Sequence, residues 1–510
     1  MRAIVAAGGD SNHFPSHNLD CCLAAWVAGA DWLHVRAHLT RDGVPVLFET
    51  DDLSAATNVS WRIGEHDWAE LASVDTGHAF QRGADLPWRR VREPFERDSD
   101  SPRQRSFLTR LDALLRHLPE PCGLAISVDK AGDADVVAAV ARAVAGSDLR
   151  HVAFLTRTPG SLPVLRGAAP DWVELGYEIG AGVKLSEAVG HANFDLAKHV
   201  FCDGEGVDVV PRGVRIVARV ESARDGSDLP QGVALEVRSA LAAGDELYGR
   251  REVFAEDFRG NALDRSVWMS GISGGFETPA RFLHNPETGE RLAGDSREEF
   301  DTRLRVDNGL VFDIRQGKQY ASAAVVTRFP FGGDFWVEVD WTYDNPQRAT
   351  MMLLGFLNTD AFVSHRPEYG SDGEVIHPRW SDEHQIFDTH GNPPFVSMEH
   401  EENDGTRIIC NRVDSGLYRW YNNFYQPNIG NGTAKTGRFR LMRRGHYYAA
   451  YYQDPANPDW VGVGALENGS MNDRLYVRMG AKHYPKRGAP DPLPANLVRF
   501  WGFRAYKRSR

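Results

Sequence analysis

Near Gly249 the chain changes texture, and that change restricts it to two folded units of different class. Before it, short apolar runs alternate with alanine-rich helical segments. Ala3–Ala7 precedes a helix over Leu19–Ala28, Leu33–Ala37 and Val44–Phe48 flank a turn, and Leu124–Val128 precedes a helix over Asp133–Ala145. His151–Thr156, Trp172–Leu175, His199–Cys202 and Arg215–Val220 continue the series, which predicts a parallel barrel of eight β/α units. After it, strand-like runs separated by Gly, Asn, Asp and Pro predict an all-β sandwich. Of the 53 aromatic residues, 37 follow residue 251, which places the change of class there. A chain of 510 residues is too long for one ordinary core. The expected domains are therefore 1–248, a TIM barrel, and 252–510, a β-sandwich, with the charged, turn-rich stretch Pro87–Arg105 as a surface insertion.

The net charge of −12 argues against a nucleic-acid or membrane partner, since both require a basic face. The clusters Arg438, Arg440, Arg443, Arg444 and Arg504, Lys507, Arg508, Arg510 read as solvated strand residues and a solubilising terminus. Five cysteines without metal spacing read as buried thiols, Cys21 and Cys22 included. No leader-like or membrane-spanning apolar run is present, so a cytoplasmic address is the default expectation, with leaderless export as the alternative.

Within Pro15–Asn58, the residues Pro15, Gly29-Ala30-Asp31 and Thr40-x-Asp42-Gly43, with a fourteen-residue step from Pro15 to Gly29, resemble the opening of the glycerophosphodiester phosphodiesterase barrel. That resemblance implies H-R-G, P-E-N-T, E-x-D and H-D motifs, which supply two acid–base histidines and the carboxylates of a divalent cation. Here the first histidine position is Ala7, the P-E-N-T glutamate is Ser16, E-x-D is His34-Val35-Arg36, and H-D is Glu49-Thr50. A later carboxylate appears as Ser127, and a seventh-strand tryptophan as Ala218. An arginine in a metal-ligand position adds repulsion toward a cation. The expectation is a catalytically degenerate barrel without a metal, although His13, His17, His34, His38, Glu49, Asp51 and Asp52 fall near its mouth.

In the second half, Phe254–Trp268 resembles the entry strand D-F-x-G-x-L-D-x-x-W of concanavalin-like lectin and glucanase sandwiches. Arg438–Tyr452 followed by Trp460 is similar to their late hairpin, and Val498–Tyr506 to a return strand beside the first. Along Phe335–Trp341, alternation places Phe335, Val337, Val339 and Trp341 on one side and Trp336, Glu338, Asp340 and Thr342 on the other. An exposed Trp336 indole beside two acceptors would suit a sugar. The glucanase pattern E-x-D-x-x-E is matched at Glu338 and Asp340 but ends in Asp344 out of register.

Val396–Asn403 places Glu399 and Glu401 on one face, with His365, His377, His384, His390 and His400 expected in surrounding loops. Trp380, Trp420, Tyr421 and Tyr425 are further aromatic binding candidates. The expected function is glycan recognition by the sandwich, with a polysaccharide or oligosaccharide partner and the barrel as scaffold or second binding surface. The alternatives are a glycoside hydrolase using Glu338, Asp340, Glu399 and Glu401, a phosphodiesterase with a remodelled barrel site, and a structural subunit of a larger assembly. No cofactor is expected, beyond compatibility of the sandwich with a structural calcium.

Overall fold

The computed structural model describes residues 2–77, 108–128, 130–191, 193–272, 303–314, 322–345, 350–358, 384–386, 394–401, 405–414, 417–422, 434–483, 492 and 494–509. The chain divides into two compact units, with residues 1–82, 99–250 and 508–510 in the first and 83–98 and 251–507 in the second. The Pro87–Arg105 insertion lies outside the described residues.

The first unit is a closed barrel of eight parallel strands: β1 (Ile4–Ala7), β2 (Trp32–Leu39), β3 (Gly123–Val128), β4 (Val152–Thr156), β5 (Glu174–Glu178), β6 (His199–Asp203), β7 (Arg215–Arg219) and β8 (Ala234–Val237). β1 pairs with both β8 and β2, which closes the cylinder. Two short strands, Pro45–Leu47 and Thr109–Arg110, extend β2 in antiparallel fashion. Small residues and a few large ones fill the interior, where Val5, Ala125, Ala153, Leu155, Phe201 and Val217 form one apolar cluster with Trp32 and Ala234 against it.

The turn residues that carried the sequence resemblance hold this frame. Asn18 caps the helix Leu19–Ala28 by accepting from the Cys21 amide at 2.7 Å. Gly29 ends that helix in the left-handed region, at φ 115°, where a side chain is strained. Asp31 then accepts from the Ile4 amide at 2.8 Å and from the Tyr248 hydroxyl at 2.9 Å, tying β1 to the last helix of the unit, Ala240–Tyr248. Thr40 donates to Asp42 at 2.5 Å and accepts from Val44 at 2.8 Å, which shapes the turn leading to Pro45–Leu47. Cys21 and Cys22 are buried free thiols, and burial pushes both above the ordinary thiol range.

The second unit consists mostly of antiparallel sheets. One runs Arg303–Val306, Leu310–Ile314, Asn496–Arg508, Phe335–Tyr343, Thr436–Arg444, Tyr447–Asp454, Asn457–Glu467, with Arg250–Glu256 also paired to Asn496–Arg508. The other runs His384–Ile386, Trp268–Ile272, Ser322–Thr327, Arg474–His483, Thr350–Asn358, Phe395–Glu401, Gly405–Asp414, Leu417–Asn422. Both sheets feed one apolar cluster, to which Phe335, Val337, Val339, Trp341 and Tyr343 contribute from one strand and Val396 and Met398 from another.

Three expectations are corrected here. His400 is not a loop residue; it lies on Phe395–Glu401, fully buried, 5.7 Å from the Tyr452 ring, and burial lowers its imidazole to about 3. Arg504 and Arg508 are not part of a solvated tail: Arg504 pairs with Asp257, and Arg508 donates to the Val27 carbonyl at 2.9 Å, while Arg510 lies outside the described residues. Arg440 is fully buried, and Arg443 donates to the carbonyls of Gly445 and Asn472 at 2.7 and 2.9 Å. Among the described residues, no helix is long and apolar enough to cross a membrane.

Candidate functional sites

Strand periodicity builds a polar layer at the C-terminal end of the barrel. Two residues beyond an interior apolar position, the next side chain points to the same face. Thus Trp32 leads to His34, Ala125 to Ser127, Gly176 to Glu178, Val217 to Arg219 and Ala234 to Glu236. These ends converge where barrel folds place their sites.

The convergence is an ion-pair network. His34 Nδ1 bonds to Glu236 Oε1, and His34 Nε2 lies 2.6 Å from Ser127 Oγ. Ser127 in turn donates to Glu178 Oε1. The second Glu178 oxygen receives three guanidiniums: Arg36 at 3.3 Å, Arg157 at 3.2 Å and Arg219 at 3.3 Å. Arg219 Nε also donates to Glu236 Oε2 at 2.8 Å.

Burial opposes charge on His34, but Glu236 and Glu178 outweigh it and hold the imidazole up to about 9. Burial likewise opposes ionisation of Glu178, yet His34, Arg36 and Ser127 keep it well below the carboxylate range. His17 shows the reverse effect: burial, then the nearby His34, Arg36 and His38, push its imidazole down to about 3. Its Nδ1 has no hydrogen-bond partner among the described residues.

This donor set does not fit the divalent cation that the resemblance implies. Both acidic side chains already receive guanidinium or imidazole groups, and Arg36 brings a fixed positive charge to the same carboxylate. Among the described residues, no group of three or more His, Cys, Asp or Glu side chains is arranged to hold a metal.

Of the positions singled out in the sequence, the structure joins His34, Arg36 and Ser127. Ala7 ends β1, Ser16 is half-buried beside Gly8, and Glu49 and Thr50 are exposed, with Thr50 bonded to the Asp52 carbonyl. Neither Glu49 nor Thr50 takes part in the network described above. His38 bonds to the Phe48 carbonyl at 3.1 Å, and His13 lies 3.0 Å from Asp10. Sequence reasoning missed Arg157, Glu178, Arg219 and Glu236. The usable signal for the last three was a charged residue two places beyond an interior one.

In the second unit, Trp336 is not an exposed platform. It is 3% accessible and stacks on Tyr506 with centroids 5.4 Å apart, because the neighbouring strand places Tyr506 directly opposite. Glu338 is buried against Arg440 at 2.5 Å, and Asp340 is held by Arg438 at 2.7 and 3.1 Å. Glu399 lies on the other sheet and is buried against Arg407 at 2.7 Å. The expected carboxylates are therefore split between sheets, and Glu338, Asp340 and Glu399 are each neutralised by an arginine. Glu401 ends the Phe395–Glu401 strand, and Trp420 and Tyr421 lie on Leu417–Asn422, opposite Asn411 and Cys410. Trp380 and Tyr425 lie outside the described residues.

A cleft of about 350 Å³ opens on the sheet that carries Asp340, lined by Asn308, Val311, Thr342, Asp344, Leu497, Arg499 and Trp501. Its floor follows from register, since Thr342 opposes Arg499 and Asp340 opposes Trp501, with Val311 opposite Arg499 on the next strand. Trp501 was not among the binding candidates read from the sequence. It stands beside a bulge at Gly502, whose φ is +58°.

Several solved structures are similar to parts of this chain. A glycerophosphodiester phosphodiesterase from Agrobacterium tumefaciens is 17% identical, with 48% of this chain and all of that chain covered and a TM-score of 0.37. A phosphodiesterase from Oleispira antarctica in complex with the product sn-glycerol-3-phosphate is 18% identical, covering 47% and 94%, with a TM-score of 0.38. LamAcat from Zobellia galactanivorans is 14% identical, covering 50% and 97%, with a TM-score of 0.34. No curated protein matches the chain. Residues 9–174 match the glycerophosphoryl diester phosphodiesterase family, and the N-terminal part of the chain carries a domain of that family.

Proposed function

We propose that the second unit is a concanavalin-like β-sandwich that recognises a carbohydrate, and that the barrel is a scaffold or second binding surface without metal-dependent phosphodiester hydrolysis. The observation that carries this reading is the cleft at Trp501. Its half-buried indole stands next to Thr342, Asp344, Asn308 and Arg499, so an apolar ring face adjoins both donors and acceptors. A pyranose has the same division, with C–H groups on its faces and hydroxyls around its rim. The ring would stack on the indole while Asp344, Asn308 and Thr342 bond to the hydroxyls.

Hydrolysis by the carboxylates named from the sequence is less well supported. A retaining or inverting pair needs two acids facing one groove, about 5–10 Å apart. Glu338 and Glu399 lie on different sheets, each buried against an arginine. For the barrel, the guanidinium groups on Glu178 support a non-hydrolytic role, since they take up the carboxylate a cation would need.

Glycan-array binding of the intact chain, compared with Trp501→Ala, tests the reading. Selective binding that is lost in the variant supports it. Binding that is absent from the intact chain, or unchanged in the variant, removes the assignment of this cleft.

A further inference from the structure

Three guanidiniums meet a single carboxylate oxygen in the barrel, and the charge around them does not balance. Among the described residues, Arg36, Arg157, Arg219 and His34 face only two buried acids, Glu178 and Glu236. A third described acid, Asp203, stands 3.9 Å from Arg219 on the rim and is partly solvated, so these side chains carry a positive excess. Like charges so close, behind low-dielectric walls, attract an anion from solution.

The donors for such an anion are in place. A guanidinium offers five N–H groups. In the described structure Arg36 and Arg157 each give one of them to Glu178. Arg157 is 66% accessible and Arg36 17%, so Arg157 in particular is open to a ligand from solution.

We propose that the barrel mouth is a metal-independent receptor for a compact oxyanion of the phosphate or sulfate class. Arg36 and Arg157 grip the ligand, and Glu178 holds the guanidiniums in position. The disagreement between this donor set and a divalent cation is the basis of the assignment. It concerns the first unit alone, so it stands or falls independently of carbohydrate binding by the second. No bond is made or broken in the ligand.

The test uses the full chain, freed of divalent ions with EDTA at near-neutral pH. Melting is followed by circular dichroism at the helical band, because the helices among the described residues lie in the first unit. Inorganic phosphate and sulfate should raise the midpoint saturably, whereas chloride at matched ionic strength should not. Arg157→Gln should weaken half-saturation by about 10-fold, the loss of one charged hydrogen bond, and Arg157→Lys should recover part of it. Arg157 is exposed, so the fold should survive this change. A midpoint that follows ionic strength alone overturns the proposal. So does phosphate stabilisation unchanged in both Arg157→Gln and Arg36→Gln, or saturable stabilisation by calcium or magnesium instead.

Discussion

Arg36 and Glu178 meet at 3.3 Å inside the barrel, although β3 and β4 separate the strands that carry them. The contact depends on curvature, since two strands that far apart in a flat sheet would not bring these side chains together. Glu178 is 1% accessible in its side chain and is shared by Ser127, Arg36, Arg157 and Arg219.

Glu178→Gln should therefore be among the most damaging single changes in the first unit. It leaves three guanidiniums without their common carboxylate, a loss of about 3–5 kcal/mol for breaking a buried pair. Urea unfolding followed at the helical band measures it. A loss below about 1 kcal/mol would mean the network carries no net stability.

The pH dependence has two limbs. The raised His34 pKa contributes stability that is full below the unfolded imidazole value of about 6.5 and is lost as pH rises through about 9. The size of that limb is about 3 kcal/mol. Glu178, held low, contributes stability present above the ordinary carboxylate range and lost as pH falls below it. His34→Gln should abolish the alkaline limb and shrink the acid one, because His34 is among the groups that hold Glu178 low, as read from unfolding free energies across pH.

In the second unit, Arg440 and Glu338 form a buried pair with the guanidinium 4.7 Å from the Trp460 ring centroid. Either Arg440→Met or Glu338→Leu alone should cost about 3–5 kcal/mol, whereas the double change Arg440→Met with Glu338→Leu should recover much of it. A double-mutant cycle in urea gives the coupling directly. Additive losses would show that the two side chains act independently.

Carbohydrate binding should separate two residues of the same sheet. Trp501→Ala should reduce affinity by about 10-fold or more, since it removes the stacking face. Glu338→Gln, where it remains folded, should leave affinity unchanged, because its carboxylate faces Arg440. Calorimetric titration with a glycan selected on an array measures both, and the opposite ranking would move the site to Glu338.

The turn residues of the barrel were legible from order alone. Gly29 and Asp31 act through turns and hydrogen bonds whose requirements are local or nearly so. The apolar side of Phe335–Tyr343 was equally legible, because a strand's period of two does not depend on its neighbours. The same period cannot say what covers the opposite side, so the burial of Trp336 follows only from Tyr506 lying across from it.

Local order in this chain thus determined the two classes of folded unit, the caps and turns of the barrel, and which residues alternate on each strand. Tertiary structure decided which charges meet. Glu178 and Glu236 acquired their partners only when the sheet closed, because ion pairing acts through space over a few ångströms and contact across a barrel has no fixed spacing along the chain.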